Sequence, residues 1–152
     1  MTAPHEAFPD YLVIGHVTRD RLPDGSYRPG GTATYAGLAA HRLGRQVGVV
    51  TSGLPDEVSV AAGIAAAVKP APRTTTFENL YDRGMRRQFC HAVACRLTLE
   101  DVPAAWRGAE IVHLGPVAQE VDPWLVSAFG GALVGITPQG WLRRWGADGR
   151  VQ

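Results

Sequence analysis

Four short runs of apolar residues constrain this chain most: Tyr11-Leu12-Val13-Ile14, Val47-Gly48-Val49-Val50-Thr51, Ile111-Val112-His113-Leu114 and Ala132-Leu133-Val134-Gly135-Ile136-Thr137. None alternates apolar with polar residues, so each reads as a strand covered on both faces. Such strands belong to parallel sheets. Helical patterns lie between them. Residues 32–43 place Ala36, Ala39, Ala40 and Leu43 on one face, with Thr32 as cap and Gly44 as a left-handed stop. Residues 56–68 open on Asp56-Glu57 and stop at Lys69-Pro70, which predicts a second helix. Shorter helices are expected near Val102–Arg107 and from Asp122 to Phe129, where Pro123 suits a first turn. The class is α/β with a mainly parallel sheet and right-handed crossovers.

Two segments do not fit inside that sheet. Residues 20–30 carry turn chemistry (Pro23, Asp24, Gly25, Pro29, Gly30) around one short strand at Ser26–Arg28. Residues 74–93 read as a hairpin: β-branched and aromatic from Thr74 to Tyr81, a turn at Asp82-Arg83-Gly84, and a return strand from Met85 to Val93. Together they are expected to form a small β flap over the carboxyl edge of the sheet, where open α/β sheets bind ligands.

Composition excludes several function classes. The chain has 152 residues, 45% hydrophobic and 19% charged, which is enough for one domain with a core. Fifteen basic and 14 acidic residues give a net charge of +1, so no basic field argues for nucleic acid or a membrane surface. Arg86-Arg87 and Arg143-Arg144 read as solvated pairs. The segment Met1–Glu6 has no secretory pattern, and no run is apolar enough to span a bilayer, so the expected location is cytoplasmic. Cys90 and Cys95 read as free thiols. The five histidines lack ligand spacing, so no metal site is expected, and His113 reads as a hydrogen-bonded strand residue.

The residues left for chemistry cluster around the first strand and the glycine pair. Asp20 can accept two hydroxyl hydrogen bonds from a polyol, or cap a local turn. Gly30-Gly31 can admit a ligand close to the backbone, hinge the flap, or simply turn into the helix. The helix start supplies free N–H groups for an oxygen-rich ligand. A dinucleotide reading fails on order: no G-x-G-x-x-G follows the first strand, and Asp20 precedes the glycines. Neither a P-loop nor a G-x-S-x-G elbow occurs.

Taken in order, Gly15-His16-Val17-Thr18-Arg19-Asp20, Gly30-Gly31 leading to Ala36-Gly37-Leu38-Ala39-Ala40-His41-Arg42-Leu43-Gly44, Val47 to Ser52, and Thr74-Thr75-Thr76-Phe77-Glu78 resemble the PfkB family of carbohydrate kinases. A weaker similarity points to its inositol-kinase branch. The resemblance implies a ribokinase-like, three-layer αβα fold with a small β lid. It implies that residues 1–152 are the amino-terminal, substrate-side part of one such domain. Asp20 would hold substrate hydroxyls, Thr18 would lie near the sugar, and Gly30 and Gly31 would hinge the lid. Tyr35 stands where the family commonly has Asn. Tyrosine lacks an amide's paired donor and acceptor, which sets an ordinary ribose or hexose apart from the expected substrate. Closure of the lid would keep water from the phosphoryl group.

For a full-length member the resemblance implies ATP and Mg2+, a small-molecule sugar or polyol as partner, and a homodimer formed through the lid. The family's Gly-Ala-Gly-Asp and Asn-x-x-Glu motifs do not occur in these 152 residues. No catalytic residue is therefore assigned, and the chain is expected to transfer no phosphoryl group alone. It is also expected to leave an apolar sheet face and edge exposed. A non-catalytic polyol-binding module is the alternative reading, and a Rossmann-type cofactor enzyme a third.

Overall fold

The computed structural model describes residues 8–152. Met1–Glu6, and the reading made of it above, lie outside the described residues. Among the described residues nine strands form two sheets. The main one is wholly parallel, in the order β5 (Ala65–Pro70), β4 (Val47–Gly53), β1 (Tyr11–Ile14), β8 (Ile111–Leu114), β9 (Leu133–Ile136). The chain winds outward from β1 to one side and then restarts beside it with β8. The switch point lies between β1 and β8, and their carboxyl ends open a crevice there.

Alternation along β1 divides the core. Leu12 and Ile14 join Val50, Val112, Leu114, Leu97, Val121 and Phe129 on one face. Val13 joins Ala33, Ala40, Val47 and Val49 on the other. Helix α1 (Thr32–Arg42) and the 58–64 loop cover the second face; short 3-10 turns within 97–129 cover the first. These are the three layers of an αβα sandwich.

The second sheet has the order β3 (Tyr27–Gly30), β2 (Thr18–Arg21), β6 (Thr76–Asp82), β7 (Met85–Ala92). Both segments left outside the main sheet by the sequence reading are in it. The 74–93 hairpin forms as expected, turning at Arg83 and Gly84. The 20–30 segment is more ordered than its turn residues suggest: β2 and β3 pair antiparallel, and β2 also pairs parallel with β6. Asp20 therefore lies within a strand of the second sheet, not in the loop after β1.

Several local expectations are overturned. Residues 56–68 are not a helix; they make turns and then enter β5. Gly63 takes a left-handed φ of 84°, which breaks any helix there, and the alanine run pairs along the open edge of β4. Pairing at a free sheet edge outweighs the helix propensity of alanine. The expected helices near 102–107 and 122–129 are 3-10 turns at Leu99–Asp101, Ala104–Trp106 and Pro123–Ser127. Pro103 interrupts the first pair, and Asp122 caps the last by accepting from the Trp124 N–H.

Helix α1 is capped by Gly31 rather than Thr32, with no side-chain cap, and buries Ala33, Gly37 and Ala40. Leu43 is at the C-cap and exposed. Gly44 does take the left-handed conformation. The run 132–137 forms β9, which is an edge strand: Leu133 and Ile136 are exposed instead of buried. Trp124 and Leu142 are also exposed.

Candidate functional site

Between the two sheets, at the carboxyl ends of β1, β8 and β9, lies a cavity of about 540 Å³. That volume suits a small molecule. Strand alternation selects what faces it. Phe77, Asn79 and Tyr81 of β6 and Arg86 and Gln88 of β7 line it, while Glu78 and His91 pair on the opposite face. Asp20 and Thr18 come from β2 and Arg28 from β3; Gly31, Thr32 and Tyr35 come from the start of α1. His113 comes from β8, Val117 from the segment after β8, and Thr137, Gln139 and Arg143 from the segment after β9.

The structure thus gathers Thr18, Asp20, Gly31 and Tyr35 around one cavity. Gly30 is not in its lining. A Cβ on Gly30 would lie 2.6 Å from an Asp20 carboxylate oxygen, so this glycine makes room behind the carboxylate. Gly31 has φ 89°, and a Cβ there would come within 2.4 Å of the His16 carbonyl oxygen. Only glycine lets β3 turn into α1 at that point. Asp20 accepts from the Thr18 hydroxyl at 3.2 Å and makes no ion pair among the described residues. Its acceptor capacity is largely unspent. Gln88 donates to Asn79 at 3.0 Å, which orients two side-chain amides over the same cavity.

Sequence reasoning missed Asn79, Gln88, Arg28, Arg86, Arg143, Thr137 and Gln139. The polar residues at alternate positions of the hairpin were visible, but which face looked inward was not. His113 is hydrogen-bonded on both ring nitrogens, to the Tyr11 hydroxyl at 2.7 Å and to Thr137 Oγ1 at 2.7 Å, as expected of a structural strand residue. It also forms part of the cavity floor.

A second histidine supports the site from behind. His16 is fully buried, bonded through Nδ1 to the Thr75 hydroxyl at 2.6 Å and through Nε2 to the Cys95 carbonyl at 2.9 Å. A neutral ring meets both demands, accepting at Nδ1 and donating at Nε2. Burial holds His16 and His113 below the ordinary histidine range, although Glu120 pulls His16 the other way. The folded state therefore resists protonation that the unfolded chain accepts near pH 6.5. Stability contributed by each neutral ring is present above that pH and is lost as pH falls below it toward the depressed folded value, at up to about 1.4 kcal/mol per pH unit for each. Urea unfolding between pH 7.5 and 5.5 is expected to show this decline. A flat profile across that window contradicts it.

Cys90 and Cys95 are free, and burial raises the Cys90 thiol to about 11, which leaves it unreactive. Among the described residues no group of three or more His, Cys, Asp or Glu comes together to hold a metal. No helix among them is long and apolar enough to cross a membrane.

A parallel αβα sheet with a small β sheet over its carboxyl edge and a polar cavity between them is the ribokinase-like fold. Solved structures agree. A pyrophosphate-dependent kinase of the ribokinase family, in a sulfate complex, superposes with a TM-score of 0.76 at 25% identity, over 93% of this chain and 54% of that one. A pyrophosphate-dependent kinase of the same family, complexed with a pyrophosphate analog and myo-inositol, gives 0.74 at 25% identity, over 93% and 53%. Ribokinase from Arabidopsis thaliana, complexed with ribose and ATP, gives 0.55 at 17% identity, over 84% and 53%, a likeness of fold. The chain spans about half the length of these kinases. No protein-family model and no curated protein matches the sequence. The likeness to carbohydrate kinases drawn from the ordered motifs is thus upheld by the fold.

Proposed function

We propose that this chain binds the acceptor of a polyol phosphotransferase, a small polyhydroxylated ring held between the two sheets. The observation that carries the reading is Asp20: a carboxylate with no ion pair among the described residues, lining a cavity at the switch point of a parallel sheet. Such a group accepts hydrogen bonds from adjacent hydroxyls, and Asn79 and Gln88 add neutral donors and acceptors. Thr18 steadies the carboxylate. Gly31 hinges the strand that carries Arg28 to the helix that carries Tyr35. Tyr35 is more than half exposed at the rim and offers one hydroxyl and an apolar ring face.

Myo-inositol, bound by one of the similar kinases, is the probe of choice for this pocket. ATP with Mg2+ is one donor class, and pyrophosphate, used by the two kinases at 25% identity, is the other. Residues 1–152 contain no Gly-Ala-Gly-Asp base motif, and the described ones form no carboxylate cluster for a divalent cation. Phosphoryl transfer draws on a positioned base and on metal ions that bridge the phosphate oxygens. Calorimetry of the full 152-residue chain with myo-inositol and with ribose is expected to show saturable binding, stronger for myo-inositol. Incubation with either donor is expected to give no phosphorylated product. Lack of binding to either ring at millimolar concentration sinks the acceptor reading, and turnover sinks the claim of inactivity. A non-catalytic polyol-binding module shares this pocket and predicts the same binding.

A further inference from the structure

The charge of the cavity does not match a neutral ring. Three arginines line it, Arg28, Arg86 and Arg143, against the single carboxylate of Asp20. Outside the cavity Arg19 pairs with Glu57, Arg45 with Asp10, Arg87 with Asp82 and Arg96 with Asp122, while the remaining arginines, Arg21 and Arg144 among them, form no ion pair among the described residues. Among the described residues no carboxylate lies within 4.0 Å of the Arg28, Arg86 or Arg143 guanidinium.

Arg143 is built into place. Its Nη1 donates to the Val117 carbonyl at 2.9 Å, and its guanidinium lies 5.0 Å from the centre of the Phe77 ring. Its remaining N–H groups have no acceptor among the described residues. Burial first, and then the positive charge of Arg86, oppose its protonated form, while Cys90, Glu120 and Asp20 act in the opposite sense. Guanidinium nevertheless stays charged in proteins. Two like charges thus face one cavity, one from the hairpin and one from the segment after β9. A polyol does nothing to offset that repulsion, whereas an oxyanion between them does.

We infer that Arg86 and Arg143 form a clamp for a phosphate oxyanion at the edge of the polyol pocket. Arg–phosphate contacts are bidentate and charge-assisted, and Arg143 is already oriented for one. The inference rests on the acceptor reading of the pocket. The phosphate has two sources: a phosphate already carried by the polyol, or the phosphoryl donor.

The test is calorimetry on the full chain at fixed low salt, with wild type, Arg86→Gln, Arg143→Gln and Arg143→Lys. The probes are myo-inositol, myo-inositol 1-phosphate, and inorganic pyrophosphate with and without saturating myo-inositol. Loss of either arginine is expected to lower the affinity for at least one phosphate probe, relative to myo-inositol, about tenfold or more. Arg143→Lys should recover part of it. An effect confined to the inositol phosphate places the phosphate on the acceptor; one confined to pyrophosphate places it on the donor. Arg86 is exposed on the hairpin, so its variant folds even if Arg143→Gln does not. Phosphate affinities indifferent to Arg86→Gln overturn the clamp. If myo-inositol fails to bind while pyrophosphate binds and depends on both arginines, the acceptor reading falls and the clamp stands.

Discussion

Replacing Glu120 by alanine is expected to cost about 3–5 kcal/mol of stability, a large share of the roughly 5–15 kcal/mol that holds a domain folded. Glu120 is 2% exposed, and its carboxylate accepts from three backbone N–H groups. Oε1 takes His16 at 2.9 Å and Val117 at 3.0 Å; Oε2 takes Val117 at 3.0 Å and Ala118 at 2.7 Å. His16 follows β1 and Val117 follows β8, so this one side chain ties the exits of the two central strands. Alanine leaves all three donors buried without a partner, and even about 1 kcal/mol for each reaches the lower end of that range.

Glu120→Gln keeps one oxygen and turns an NH2 toward N–H groups, so an intermediate loss is expected. The consequence reaches the pocket, since Val117 lines it and its carbonyl holds Arg143. Chemical denaturation of both variants checks the ranking. An alanine variant within 1 kcal/mol of wild type (about one unsatisfied group) shows that water or relaxation replaces the carboxylate.

Replacing Asp20 by asparagine is expected to weaken polyol binding about 100-fold while leaving unfolding nearly unchanged. Asparagine keeps the shape and one acceptor oxygen. Its NH2 cannot accept, and meets a hydroxyl that needs an acceptor. Hydrogen bonds to a charged group contribute about 1.5–3 kcal/mol, and 1.4 kcal/mol is tenfold in affinity. The fold has little stake in Asp20, whose recorded partner is the Thr18 hydroxyl at 3.2 Å. Asparagine also spares the cost of the close Gly30 approach, being the same size. Myo-inositol affinity equal to wild type in this variant means that the ring binds elsewhere or through the hairpin amides alone.

How much of this was legible in the sequence varies by element. The β1 and β4 runs, covered on both faces, announce a parallel sheet because both faces demand apolar side chains. Gly44 at a helix end and the Arg83-Gly84 turn are legible for a different reason: left-handed backbone favours few residue types. The run 56–68 reads as a helix because its alanines are local helix formers, and only the open edge of β4 draws the residues from Ala65 on into a strand. Leu133 and Ile136 of β9 were misread as buried because apolar character does not reveal whether another strand follows.

The candidate site divides the same way. Asp20, Thr18, Gly31 and Tyr35 are close in sequence, and the order of strand, acid, glycine pair and helix carries their chemistry without coordinates. Arg86 and Arg143 are far apart in sequence and read alone as solvated pairs. Tertiary structure brings them to one cavity, through the inward face of the hairpin and the chain after β9. The sequence by itself thus determined four of the five strands of the main sheet, the glycine turn and the acid beside it, since these depend on local periodicity and backbone freedom. Only the tertiary structure decided the charge of the pocket and the Glu120 tie beneath it, because both arise from groups whose proximity no local pattern encodes.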